Sequence, residues 1–174
     1  MLYPYGMDKR PAEYYRMFSS GLIHQDIPHL GFNMYALYIF GEYMEAQFGD
    51  ISFSWLYVVL YISGIVIANV PAMIKHRNHS YYKALGASGG VSAVMFAYIY
   101  FDPWARIGIL FIPVGIPAIL FAVLYLAYSA YASKTGRDNI GHDAHFLGGV
   151  YGFVFAFLFD PTHSRFIEQI QHFR

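Results

Sequence analysis

Cysteine is absent from this 174-residue sequence, which removes disulfides, thiolate metal sites and cysteine nucleophiles together. Charge is scarce too. Asp, Glu, Lys and Arg make up 13% of the chain, where a soluble domain carries about a quarter. Neither sign prevails, with 11 basic and 11 acidic residues. The basic field that draws nucleic acid is therefore missing, and no nucleic-acid partner is expected. Met1 to Arg16 has no apolar core of the kind found in a signal peptide, so membrane targeting must come from the body of the chain. No repeat, linker or low-complexity stretch divides the sequence, and its length suits about one domain.

What the chain has in excess is apolar surface: 57% of its residues are hydrophobic and 20% aromatic. A globule of this composition has too little polar surface to cover itself, and burial in a lipid bilayer removes the problem. A spanning helix needs about 20 mostly apolar residues. Five segments read as spans, at 27–48, 51–74, 84–101, 107–133 and 144–159. The expected fold is all-α, a polytopic transmembrane helix bundle forming one domain over 1–174. The shorter spans hold the polar residues His29, Asn33, Ser88, Ser92 and His145. Such segments sit inside a bundle, which leaves 51–74 and 107–133 as the outer wall. Residues 163–174 read as a short amphipathic helix.

Three segments can carry chemistry. In Gly86-Ala87-Ser88-Gly89-Gly90 the serine has little steric cover. A helix beginning near it would aim free backbone N–H groups at a reacting carbonyl. The same residues can also be read as a small-residue packing face formed by Gly86 and Gly90. The string matches the G-x-S-x-G pattern of soluble hydrolases, but that motif requires an apolar strand before the serine. Here the lead-in, Lys75 to Lys83, is polar. The second segment places His145 at the start of the last span, with Gly148 and Gly152 following on nearly the same helical face. Such a face admits a neighbouring backbone closely. Packing against Gly86, Ser88, Ala93 and Ala97 would bring the imidazole to Ser88. Alternatively His145 is a polar cap. In the third segment His29 and Asn33 share a helical face one turn apart, either as interhelical hydrogen-bonding groups or as side-chain donors to an oxyanion. A serine, a histidine and two neutral donors are a minimal set for acyl transfer. The expectation is a dyad, with Asp143 as a helix cap and not a third member.

These residues together resemble the rhomboid family of intramembrane serine proteases. His24 to Met34 is similar to the family's H-x(4)-H-x(3)-N segment, continued by Gly41 and Glu45. Gly86-Ala87-Ser88-Gly89 resembles its G-x-S-G motif, and Ala144-His145 with Gly148 and Gly152 its A-H-x-x-G-x-x-x-G motif. The resemblance covers about residues 12 to 159. It implies Ser88 as nucleophile, His145 as general base, and an oxyanion site built from His29, Asn33 and the Gly86-Ala87-Ser88 turn. The implied activity is serine-type endopeptidase cleavage of transmembrane segments in other membrane proteins. No cofactor and no metal are implied, and the implied location is multi-pass in a membrane, the plasma membrane of a bacterium.

The family core has six spans, and the resemblance implies a first helix ahead of Met1 that this sequence does not contain. Tyr15-Arg16 stands where the family often has Trp-Arg. Family orientation would put the N-terminus and the loops at Lys75–Lys83 and Lys134–Arg137 outside the cytoplasm. Eight of the 11 basic residues lie there, the reverse of the positive-inside expectation. A zinc shared by His142 and His145, with Asp143 or His24, is the metal alternative. No H-E-x-x-H helix supports it, and Phe48-Gly49-Asp50 is too little for an aspartyl protease. The remaining alternative is a catalytically inactive rhomboid-like protein that binds membrane clients.

Overall fold

Caps and prolines set where several of the helices begin. A computed structural model describes residues 1–50, 55–109, 112–135 and 140–171. Near the start come two short helices, α1 (Pro4–Lys9) and α2 (Arg16–Ser19), with 3-10 turns at Pro11–Glu13 and Ser20–Leu22. Next is α3 (Ile27–Asp50). Its first turn is capped by Asp26, whose Oδ1 accepts the His29 N–H at 2.7 Å. The second apolar segment is α4 (Trp55–Ala68) followed by α5 (Val70–Lys75). The break at Asn69 precedes Pro71, which has no N–H to give the helical ladder.

Beyond a loop lies α6 (Ser88–Phe101), the centre of the molecule. All of its residues except Ser88 and Tyr98 are buried. The small ones make this possible: a Cβ at Gly64 of α4 would meet Ala93 at 2.8 Å, and one at Gly90 would meet the Tyr61 carbonyl oxygen at 2.8 Å. Two strands, β1 (Arg106–Ile109) and β2 (Ile112–Pro117), form an antiparallel hairpin pairing Ile107 with Ile116 and Gly108 with Gly115. Then follow α7 (Ala118–Thr135), α8 (His142–Phe159) and α9 (Arg165–Gln171). The far end is closed by Asp160, fully buried, which accepts hydrogen bonds from the Tyr100 hydroxyl at 2.9 Å and the Arg165 N–H at 3.1 Å. Phe166 of α9 stacks on Tyr100, ring centroids 5.9 Å apart.

The chain is a multi-helix bundle, and several sequence expectations need correction. Among the described residues two helices, Trp55–Lys75 and Ala118–Thr135, are long and apolar enough to cross a membrane, where five spans were expected. The reasons differ. With 14 residues, α6 is short, whereas α3 and α8 carry polar residues such as His29, Asn33, Glu42, Glu45, His142 and His145. The expected span 107–133 is a hairpin up to Pro117 and a helix only from Ala118, which adds a small sheet to an otherwise all-α fold. The span expected at 84–101 begins as helix at Ser88. Its neighbour α3, expected inside, buries one stripe through Asn33, Gly41, Met44 and Phe48, with Leu37, Phe40 and Tyr43 half-buried beside it, and exposes Ile27, Phe32 and Tyr38 on the other face. The two long apolar helices are exposed along most of their length: their most apolar stretches are only 28% and 22% buried. Residues 51–54, 110–111, 136–139 and 172–174 of the expected spans, loop and tail lie outside the described residues.

Candidate functional site

Ser88 is the first residue of α6, so its N–H belongs to the turn whose donors have no partner within the helix. Ahead of it Gly86 has φ +110°, a conformation that side chains with a Cβ rarely adopt. A Cβ there would also lie 2.8 Å from Cε1 and 2.9 Å from Nε2 of His29. Glycine therefore does two things at this position: it makes the turn and admits the imidazole. The Gly86 N–H is held by the carbonyl of Ser20 at 3.0 Å. Ser20 is buried and takes a hydrogen bond from Asn69 Nδ2 at 3.2 Å. Further back, Leu2 and Ala84 form a bridge, with N···O distances of 2.8 and 3.1 Å. The serine loop is thus tied to the N-terminal segment on one side and to the α4–α5 break on the other.

His145 reaches the same place from α8. Its Nε2 lies 2.8 Å from Ser88 Oγ. The approach depends on glycine: a Cβ at Gly148 would lie on the carbonyl oxygen of Gly89, and one at Gly152 on that of Ala93. The two helices meet backbone to backbone at these points, and the first turn of α8 is brought beside the first turn of α6. Of the small residues expected to face this seam, Ala93 does so, whereas Gly86 faces His29 instead. Asp143 does not cap α8, whose N-cap residue is Gly141 without a side-chain hydrogen bond. Its carboxylate pairs with Lys75 Nζ at 3.0 Å, joining α5 to α8.

The other expected donors are placed unequally. His29 packs on Gly86, directly before the serine turn. Asn33 is buried, and its Nδ2 donates to the His29 carbonyl at 3.0 Å, one turn back in its own helix. His24 lies edge-on to His29, ring centroids 5.1 Å apart. Burial first, and then the neighbouring His29, hold His24 below 6.5, its ordinary value. In the polar loop His76 and His79 face each other through Nδ1 atoms 3.0 Å apart, and Tyr82 stacks flat on His76 at 3.6 Å. Among the described residues no three His, Asp or Glu side chains converge as metal ligands would. A groove of about 250 Å³ between α5, α7 and α8 is lined by Pro71, Ser133, Asp143 and Leu147 among others, and includes neither Ser88 nor His145. Sequence reasoning did not find Tyr125 of α7, whose ring lies 6.0 Å from that of His145.

A membrane helix bundle with a serine and a histidine at the adjoining starts of two glycine-packed helices is a recognisable class of protein, and comparison with known sequences names it. The rhomboid domain model matches residues 11–161. The chain belongs to the rhomboid family. It is 32% identical over 149 residues to "RHOMBOID-like protein 12, mitochondrial" of Arabidopsis thaliana, covering 76% of this chain and 42% of that one. It is 28% identical over 145 residues to "Rhomboid protease GluP" of Bacillus subtilis, covering 83% of this chain and 26% of the relative. "Rhomboid protease GlpG" of Haemophilus influenzae is 27% identical over 171 residues, 97% of this chain and 81% of that one. The chain thus spans less than half the length of the Arabidopsis and Bacillus relatives. No solved structure matches it significantly.

Proposed function

We propose that the chain is an intramembrane serine endopeptidase in which Ser88 is the nucleophile and His145 the general base. The observation that carries this reading is the 2.8 Å separation of His145 Nε2 and Ser88 Oγ, within the reach that general-base catalysis needs. In the neutral imidazole that accepts the serine proton, Nε2 carries the lone pair and Nδ1 the hydrogen. Oγ adds to the scissile carbonyl carbon as its proton passes to Nε2. The oxyanion is stabilised by the Ser88 N–H, with His29 and one amide hydrogen of Asn33 as side-chain donors. Collapse breaks the C–N bond, His145 returns the proton to the leaving amine, and water releases the acyl group by the same steps in reverse order.

The substrates proposed are transmembrane segments of other membrane proteins. Two relatives are named rhomboid proteases, and Ser88 opens a helix set behind the apolar wall of α4, α5 and α7. In this reading α3, α6 and α8 cross the bilayer beside the two long helices, giving five spans in one domain over 1–174. Their polar residues face the site and each other. The membrane proposed is a bacterial plasma membrane.

Labelling by a serine-reactive fluorophosphonate in detergent tests the reading. Wild type is expected to label, and Ser88→Ala and His145→Ala to lose about a thousandfold or more in rate, as for other serine–histidine pairs. A folded wild type that stays unlabelled would leave the alternative, a rhomboid relative that binds membrane clients without cutting them.

A further inference from the structure

Resting on the acyl-transfer reading of Ser88 and His145, we infer that Tyr125 of α7 is a positioning residue for the His145 imidazole. Its ring lies against that of His145, centroids 6.0 Å apart and planes inclined by only 24°. Its hydroxyl is within 2.7 Å of Ser92 Oγ. Ser92 is buried and lies one turn beyond Ser88 on α6. Phe121 and Phe96 pack on the same tyrosine ring, each with centroids at 5.6 Å. One side chain therefore touches both helices of the serine–histidine pair while belonging to neither.

The geometry has a physical consequence. A histidine at hydrogen-bond distance is useful only if its ring is held at the angle that keeps Nε2 on Oγ, and rotation about χ2 is broad for imidazole. A nearly parallel aromatic face restricts that rotation. The face is itself held, because the hydroxyl of the half-buried tyrosine pairs with the buried hydroxyl of Ser92. As the histidine takes up the serine proton, the tyrosine π-face also lies against a cation, a favourable arrangement. The sequence offers no spacing rule for this contact, since α7 is a separate helix with its most apolar stretch only 22% buried.

The test uses Tyr125→Leu, Tyr125→Phe and Ser92→Ala in the full chain. With a cleavable transmembrane-segment peptide, Tyr125→Leu is expected to lower kcat about 10- to 100-fold, since small misplacements of a reacting group cost that much. KM should stay within about twofold, because Tyr125 acts through His145. Tyr125→Phe keeps the ring and should recover most of kcat, and Ser92→Ala should resemble it. A second readout does not need turnover: in protein carrying labelled histidine, the His145 ring resonance should move on Tyr125→Leu and hold its place in Tyr125→Phe. A wild-type kcat in folded Tyr125→Leu, or equal losses in Leu and Phe, overturns the positioning role while leaving the proposed chemistry intact. An inactive wild type whose His145 resonance still moves on Tyr125→Leu removes the proposed chemistry and keeps the contact.

Discussion

The α6–α8 seam and the face of α7 bear on the candidate serine–histidine pair by opposite means. At the seam, Gly148 and Gly152 let two backbones touch at Gly89 and Ala93, and nothing there can adjust without moving a helix. On α7 the buried residues are few and small, Ala118, Ala122, Ser129 and Ala132. Its contact with the site is a tyrosine ring and a hydroxyl. The seam sets where Ser88 and His145 are, and in the reading proposed above Tyr125 of α7 sets how the histidine ring is turned. Position is set by the absence of side chains and orientation by the presence of one.

Filling the glycine seam should have the largest effect on stability. Gly152→Val sets a branched side chain against the Ala93 carbonyl, where neither backbone can yield. A loss of about 3 kcal/mol is expected, the upper end for overpacking. Thermal unfolding in detergent reads it, and a Tm near wild type would mean that the helices can part without cost. Gly86→Ala is expected to cost about 1–2 kcal/mol from its φ of +110°. It should also displace His29, so fluorophosphonate labelling should fall by more than the stability loss explains. Comparison of the labelling rate with the folded fraction would separate the two effects.

A smaller effect is expected from pH. His76 is held below 6.5, its ordinary value, by burial first and then by His79 and Lys75, with Asp143 opposing. Since the unfolded chain binds this proton more readily than the folded one, the contribution is complete above about pH 6.5 and lost as pH falls through the folded value. His24 works in the same direction. Stability should therefore decline on acidification from about pH 7 to 5, and His76→Asn with His79→Asn should flatten that decline. The smallest effect belongs to the Lys75–Asp143 pair, whose side chains are 51% and 31% exposed. Asp143→Asn should cost about 0–1 kcal/mol, a magnitude typical of exposed pairs. A loss of catalysis comparable to that of His145→Ala would instead assign Asp143 to the chemistry.

The parts of this arrangement that sequence reasoning reached are those with a helical period. Gly148 and Gly152 follow His145 at three and seven residues, so a common face with room for another backbone could be read directly. The serine between glycines was equally readable. The hairpin was not, because an uncharged apolar run gives the same signal whether it is strand or helix. The clues were there in Pro113 and Pro117, and in the alternation of Ile107, Ile109, Ile112, Val114 and Ile116 with glycine and proline. Hydrophobicity outweighed them. Pairing of Asp143 with Lys75 was out of reach for a different reason: the partners are far apart in sequence, and a first-turn carboxylate suits a cap equally well. Tyr125 fails the same way, since one tyrosine of 17 carries no mark of what it will face.

The bridge between Leu2 and Ala84 bears on the order in which the molecule is made. Residues 1–3 are synthesised well before the loop that seats them, and they cannot dock there until α3, α4 and α5 have been made. Their docking then fastens the strand of chain that leads into Gly86 and Ser88. Whatever unseats Leu2 therefore acts close to the candidate serine loop, although it lies far from Ser88 in the sequence.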